Sequence, residues 1–266
     1  MTEQHSHGPL LATLLDLDAE IHSEALTEAM SVVSALVTDP RGVRRVLDVG
    51  AGTGTGSIAL ARRFPAARVV AVDVDERMLE RVRDNARAAG LGDRVEALRA
   101  DVTTAPPGLG VADLVWCASA LHEVADPDRA FRTLFEALRP GGVLAVVEMD
   151  GPPAVLPLAH ADLEERVRSA AGSSADHPDW TSTITAHGFE APRTRRLTTD
   201  VTLPADGPAG EYAALELRRV GHAAPALRDS DRATLMTLAG DGAGNVRTLG
   251  EVRIRGTRTL WTARRP

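Results

Sequence analysis

Between residues 43 and 149 short apolar runs alternate with longer segments whose apolar residues recur every three or four positions. RRVLDVG, RVVAVDV, VEALRADV, ADLVWCASA and GGVLAVVEM read as buried strands, and SIALARRF, DERMLERVRDNARAAG and DPDRAFRTLFEALRP as helices. Gly90 and Gly92 end the second of these helices, while Asp126 with Pro127 after it opens the third. Strands alternating with helices predict right-handed βαβ units on a parallel sheet. Residues 10–38 carry an amphipathic helical pattern, one or two helices ahead of the core, closed by Pro40 and Gly42. After Met149 the regular alternation stops. HADLEERVRSAAG reads as helical, HGFEAPRTRRLTTDVTL holds a strand, GEYAALELRRVGHAA and DSDRATLMTLAG are helical, and EVRIRGTRTLWTARR is rich in strand formers. No repeat of solenoid period and no low-complexity tract interrupts this order.

Composition narrows the chemistry. A chain of 266 residues, 44% hydrophobic and 25% charged, has ordinary globular make-up, enough for one α/β core with additions. The net charge of −7 offers no cationic field to a phosphate backbone or an anionic membrane, so neither nucleic acid nor a membrane is an expected partner. All 30 basic residues are Arg, which excludes Schiff-base and lysine-nucleophile chemistry. A single Cys117 excludes an internal disulfide, an iron–sulfur cluster and any multi-cysteine metal motif. His5 and His7 sit in a polar tail without a further ligand at usable spacing, and no metal is expected. No leader-like or membrane-spanning run stands out, so a cytoplasmic chain is expected.

The segment Val46-Leu47-Asp48-Val49-Gly50-Ala51-Gly52-Thr53-Gly54 joins the first strand to its helix, where ligands of open α/β sheets bind. It is not the dinucleotide fingerprint, since the third glycine is replaced by Thr55 in one register and by Ser57 in the other; nor is it a phosphate loop, which needs Lys. Asp48-x-Gly50-x-Gly52-x-Gly54 is followed by Asp73 closing the second strand, Asp101 after the third, and LRPGG before the fifth. These parts, in this order over residues 43–150, resemble the class I S-adenosylmethionine-dependent methyltransferases. The resemblance implies a Rossmann-like three-layer α/β/α fold, with a mostly parallel seven-stranded sheet and an antiparallel last strand.

It also implies roles. S-adenosylmethionine would be the cofactor and S-adenosylhomocysteine its product. Gly50, Ala51, Gly52 and Gly54 would pass under the methionine and ribose portion, with Asp48 near the amino group. Asp73 would take both ribose hydroxyls, a task that suits an acceptor-only carboxylate. Asp101 would accept from the adenine amino group, with Val74, Met78 and Val102 packed on the purine. The segment Cys117-Ala118-Ser119-Ala120-Leu121-His122-Glu123 would border both the sulfonium and the substrate, Ser119 on the cofactor side. It lacks the Asn/Asp-Pro-Pro-aromatic motif of DNA and protein amide methyltransferases, which points instead to a small-molecule acceptor of biosynthetic or quinone-like type.

His122 is the candidate general base, because an ordinary pKa near 6.5 lets it take a proton from the acceptor. The alternative is a histidine that only orders its loop. Glu123 and Glu148 are the second candidates for catalysis, and Asp150 stands behind them. In chain order the reading divides residues 1–40 as tail and helical lid, 41–150 as cofactor core, and 151–266 as the last strands with a helical insertion at about 205–245 on the substrate side. The family's lid often carries Tyr where this chain reads Ile21-His22-Ser23-Glu24. Eight aromatic residues (three Trp, one Tyr, four Phe) are too few for an aromatic cage, and Trp116, Trp180 and Tyr212 read as packing before substrate contact. The arginines of 193–196 and 253–265 read as a solvated face. A homodimer, a cyclisation or other non-methyl alkylation, and a non-catalytic cofactor-binding subunit remain open.

Overall fold

In the computed structural model, which describes residues 8–37, 39, 41–171, 177–223 and 227–266, the expected alternation is present. Helices α1 (Gly8–Ile21) and α2 (Ser23–Leu36) precede β1 (Arg45–Val49), α3 (Thr55–Arg63), β2 (Arg68–Asp73), α4 (Glu76–Ala88), β3 (Val95–Arg99) and β4 (Ala112–Ala118). Then come α5 (Pro127–Ala137), β5 (Leu138–Met149), α6 (Ala161–Ala171), α7 (Trp180–Ala186), β6 (Arg193–Pro204), α8 (Pro208–Ala223), α9 (Asp229–Ala239) and β7 (Glu251–Arg264). His5 and His7 lie outside the described residues.

The chain divides into two compact units, each assembled from separate stretches of sequence. One comprises residues 26–148, 178–197 and 259–266 and carries β1 to β4 and all but the last residue of β5; the strand order is β3-β2-β1-β4-β5-β7-β6. The first five strands pair in parallel. β7 runs antiparallel to β5: Gly141 N–H donates to Arg265 O at 2.7 Å and Arg265 N–H to Gly142 O at 2.9 Å. This is the Rossmann-like three-layer architecture, and its order places the topological switch point between β1 and β4. Their buried residues Leu47, Val49, Val115 and Cys117 pack with Phe131, Leu134 and Leu144 into one core, as a strand covered on both faces must. Burial pushes the Cys117 thiol up, away from the reactive thiolate.

Two elements depart from the sequence reading. Leu138-Arg139-Pro140 reads in the sequence as the end of the third helix, yet β5 begins at Leu138, because the backbone around Gly141 and Gly142 finds its partners at Arg265, more than a hundred residues away. Helix α7 had no helical reading: WTSTITA is dominated by β-branched and small polar residues, poor formers on their own. Asp179 caps it by accepting from Thr181 N–H, and Trp180 and Ile184 bury in the core, so packing overrides propensity.

The second unit contains the described residues of 1–25, 149–177 and 198–258. Its core gathers Ile21, Leu163, Tyr212, Leu217, Leu235, Leu238 and Ile254. Through it runs a buried polar chain. Tyr212 O–H donates to Asp18 Oδ1 (3.0 Å), so its oxygen accepts from His22 Nε2–H (3.1 Å), and Thr199 O–H donates to His22 Nδ1 (2.8 Å). Arg258 Nη2 closes the chain on both Asp18 oxygens, at 2.8 and 2.7 Å. Every member is satisfied, which is the condition for burying such groups.

Candidate active site

The glycines between β1 and α3 have a backbone reason. Gly50 (φ 69°), Gly52 (φ 53°) and Gly54 (φ 88°) are all left-handed, a region other residues enter only at a cost. At Gly50 a side chain is also excluded by contact, since its Cβ would lie 2.2 Å from the Cβ of Ala120. The turn after β1 and the loop after β4 therefore pack directly on each other.

Asp73, at the end of β2, braces that turn. Its Oδ2 accepts from Gly52 N–H and its Oδ1 from Asp75 N–H, both at 2.9 Å. Sequence reasoning missed the brace, although it cast Asp73 as a ligand of two hydroxyls; each oxygen keeps a lone pair for that purpose. Asp48 is buried beneath the turn, 2.6 Å from Ser57 Oγ. Burial raises its pKa to about 6, against the opposing hydrogen bond from Ser57. Asp101 caps the 3-10 turn Val102–Thr104, with Oδ1 accepting from Thr103 N–H (2.8 Å) and Oγ1–H (2.7 Å). Both bonds fall on one oxygen, which leaves Oδ2 for a ligand. Val74 is 61% exposed, while Met78 and Val102 are buried.

At the carboxyl end of β4, Ser119 adopts φ 52° and donates its N–H to Val147 O at 2.7 Å, while its buried Oγ has no partner among the described residues. The 3-10 turn Leu121–Glu123 follows. Glu148, fully buried at the end of β5, accepts from Leu121 N–H (3.0 Å) and His122 N–H (3.3 Å) on Oε1, and from His122 Nδ1–H (2.7 Å) on Oε2. One carboxylate thus holds both the turn and the imidazole. It fixes the proton on Nδ1, which leaves the Nε2 lone pair for chemistry. The hydrogen bond to Glu148 raises the His122 pKa, and partial burial opposes it. The His122 side chain is 34% exposed, and that of Glu123, 3.4 Å from Nε2, is 81% exposed. Asp150 lies 3.3 Å from His177 Nε2.

Trp116, Trp180 and Tyr212 are fully buried, as packing residues are. The arginines of β6 and β7 are drawn into ion pairs, Arg195 with Glu28, Arg253 with Asp200 and Arg255 with Glu164. Among the described residues no cluster of His, Cys, Asp or Glu could hold a metal ion, and no helix is long and apolar enough to cross a membrane.

Fold and site together define a Rossmann-like domain with its glycine turn at the β1–β4 switch point. Residues 46–142 match a family model described as a methyltransferase domain. A demethylmenaquinone methyltransferase of Clavibacter sepedonicus is 33% identical over 204 residues, 69% of this chain and 81% of that protein. The chain spans about half the length (49% and 47%) of two further curated relatives, from Thermus thermophilus and Idiomarina loihiensis. Among solved structures, the [4+2]-cyclase SpnF has a TM-score of 0.53 at 21% identity, covering 90% of this chain and 81% of its own. A phosphoethanolamine N-methyltransferase of Haemonchus contortus, solved with phosphomonomethylethanolamine and S-adenosylhomocysteine, has a TM-score of 0.53 at 15% identity, covering 90% of this chain and 52% of its own. These two likenesses concern the fold. The chain belongs to the class I S-adenosylmethionine-dependent methyltransferases.

S-adenosylmethionine is accordingly the cofactor, and the residues fit it. The unengaged Asp101 Oδ2, the exposed apolar Val74 beside Asp73, and the orphaned Ser119 hydroxyl are what a site for a purine nucleoside with an amino-acid arm requires.

Proposed function

We propose that this enzyme transfers the methyl group to an oxygen, nitrogen or carbon nucleophile of a small biosynthetic metabolite, with His122 as general base. The observation that carries this reading is the 2.7 Å contact between Glu148 Oε2 and His122 Nδ1. Bound S-adenosylmethionine supplies a methyl group activated by its sulfonium. The chain's own residues do the rest: the glycine turn with Asp48, Asp73, Val74, Met78, Asp101 and Val102 orients the cofactor. His122 Nε2 removes the acceptor's proton, and Glu148, a positioning residue, holds the ring and stabilises the imidazolium that forms. Glu123 faces solvent and offers that cation a second carboxylate.

The Clavibacter relative's name favours a quinol-type aromatic acceptor, and residues 1–40 with the insertion at about 205–245 are proposed to select it. The reading includes a cytoplasmic enzyme and allows a homodimer. A mass-shift screen of quinols, phenols and carboxylic acids tests it, because methyl transfer adds about fourteen daltons and requires a nucleophile in the acceptor. SpnF favours cyclisation as the second reading; a product of unchanged mass would establish it. Binding of S-adenosylmethionine with no turnover of any acceptor would instead indicate a non-catalytic subunit.

A further inference from the structure

The proline-rich stretch after β5 takes no part in the chemistry above, yet it builds a wall. Residues 152–156 read Pro-Pro-Ala-Val-Leu, and with Val167 of α6 and Leu217 and Val220 of α8 they line a cleft of about 360 Å³ within the second unit. Backbone that forms an apolar wall must have its N–H groups engaged elsewhere. Pro152 and Pro153 have none, Ala154 N–H donates to Arg255 O at 2.7 Å, and Leu156 N–H donates to Glu164 Oε1 at 3.0 Å.

Two carboxylates interrupt this apolar lining, and they differ. Glu164 uses both oxygens to hold the wall, Oε1 on Leu156 N–H and Oε2 on Arg255 Nη2. Glu216 is only 4% exposed; its Oε2 accepts from Arg219 Nη2 (2.7 Å) and Nε (3.1 Å), while its Oε1 accepts from none of the described residues. Burial pushes the Glu216 carboxyl up, and the charge of Arg219 opposes it. A buried carboxylate with one oxygen unused is unfavourable in the empty cleft and is the kind of group that fixes a ligand's orientation. The charges are already matched, Glu164 by Arg255 and Glu216 by Arg219. A cationic ligand would therefore bring in a charge without a counter-ion, whereas a neutral donor adds only the missing hydrogen bond.

We propose that this cleft binds a neutral apolar alcohol or phenol whose hydroxyl donates to Glu216 Oε1. The aliphatic walls supply affinity through burial, and the single free oxygen supplies selectivity. None of the residues that form the cleft is among those assigned to the cofactor or to proton transfer, and the inference is independent of both assignments.

The test is calorimetric titration of the full chain with three probes: 2-naphthol, its methyl ether, which keeps the rings and loses the donor, and 2-naphthylmethylamine, which is cationic at neutral pH. Wild type should bind 2-naphthol about tenfold more tightly than either of the others, the worth of one hydrogen bond to a charged acceptor. Glu216→Gln tests the anchor. Arg219 can only donate, so the amide turns its oxygen to Arg219 and its NH2 into the cleft, and the Kd values of naphthol and ether should come within about twofold of each other. Val220→Phe fills the cleft, leaves the carboxylate in place and should weaken 2-naphthol by about tenfold or more. Equal binding of naphthol and ether to wild type, tighter binding of the amine, or no binding of any probe would overturn the proposal. So would a naphthol Kd that Val220→Phe leaves unchanged, which would place the probe elsewhere, or an equal loss of naphthol and ether in Glu216→Gln with lowered melting, the mark of a merely structural residue.

Discussion

Two histidines each sit beside a carboxylate, and their surroundings drive them in opposite directions. His122 is partly exposed and donates its Nδ1–H to the buried Glu148, so its pKa rises above the ordinary value. His22 is only 4% exposed, and its nearby carboxylate, Asp18 at 3.5 Å, is already matched by Arg258; burial wins and its pKa falls to about 4. A neighbouring carboxylate therefore does not by itself make a base. What matters is whether its charge is already compensated and whether the imidazole can reach water or substrate.

The difference has an opposite sign in stability. His22 folds in its neutral form, so its contribution is fully present above pH 6.5 and is lost as pH falls toward about 4. His122, with its pKa raised, contributes stability that is present below pH 6.5 and is lost as pH rises through the folded value.

The largest expected effect falls on the exposed member of the pair. Replacing His122 by Ala should lower kcat by about 10²–10⁴, the range of a general base, and leave the Kd of S-adenosylmethionine nearly unchanged. Asp73→Ala should do the reverse and weaken cofactor binding first, since Asp73 braces the glycine turn and is proposed to orient the cofactor. Titration calorimetry with steady-state kinetics measures both, and equal loss of cofactor affinity in the two variants would erase the division of roles.

On the buried side, Arg258→Met leaves Asp18 uncompensated against His22 and Tyr212. Breaking one partner from a buried pair costs about 3–5 kcal/mol, reduced here toward the lower end because Asp18 is partly exposed. Chemical denaturation should show that loss at pH 7. It should also show a smaller further loss between pH 6.5 and 4 than in wild type, because an unmatched Asp18 raises the His22 pKa. An unchanged acid profile would mean that Arg258 does not set the His22 titration.

The strand–turn–helix order and the glycine turn were legible because both follow from local rules: period of apolar positions, and glycine where φ is positive. The acids at the strand ends were legible as types at fixed places. The histidine dyad was only half legible. His122 and Glu148 are 26 positions apart and meet only because β4 and β5 are neighbours, a fact of sheet order. Glu148 was therefore read only as a second candidate for catalysis, without the three hydrogen bonds that it accepts from the Leu121–His122 turn. His22 is the converse case. The residue stood out as a missing tyrosine, but nothing local indicates that Tyr212, 190 positions later, brings an aromatic ring to within 5.8 Å of it.

Asp48 offers a comparison inside the site itself, a carboxylate without a matched cation. With its pKa raised from 3.8 to about 6, wild type should lose about 2–3 kcal/mol of stability relative to Asp48→Asn as pH rises from 4 to 7. The sign follows from the folded state holding the proton more tightly than the unfolded chain. The variant should be the more stable protein at pH 7 and the weaker binder of S-adenosylmethionine. Parallel denaturation curves at the two pH values would show that Asp48 titrates normally.

Glu148 gives the sharpest test of the pair. Glu148→Gln keeps the shape and can still accept from the Leu121 and His122 amides, but it removes the charge that favours the imidazolium. The base must be neutral to act, so the wild-type rate should rise with pH through an inflection above 6.5, and the variant's inflection should move to lower pH. On the alkaline plateau the variant should fall by about 10²–10⁴, because its carbonyl oxygen is taken by the two amides and its NH2 donates to Nδ1, which moves the ring proton to Nε2 and stabilises no imidazolium. At low pH the gap should narrow, because there a greater share of the wild-type His122 is protonated. A uniform loss at every pH would make Glu148 a holder of the turn alone, and His122 would then differ from His22 in exposure but not in electrostatics.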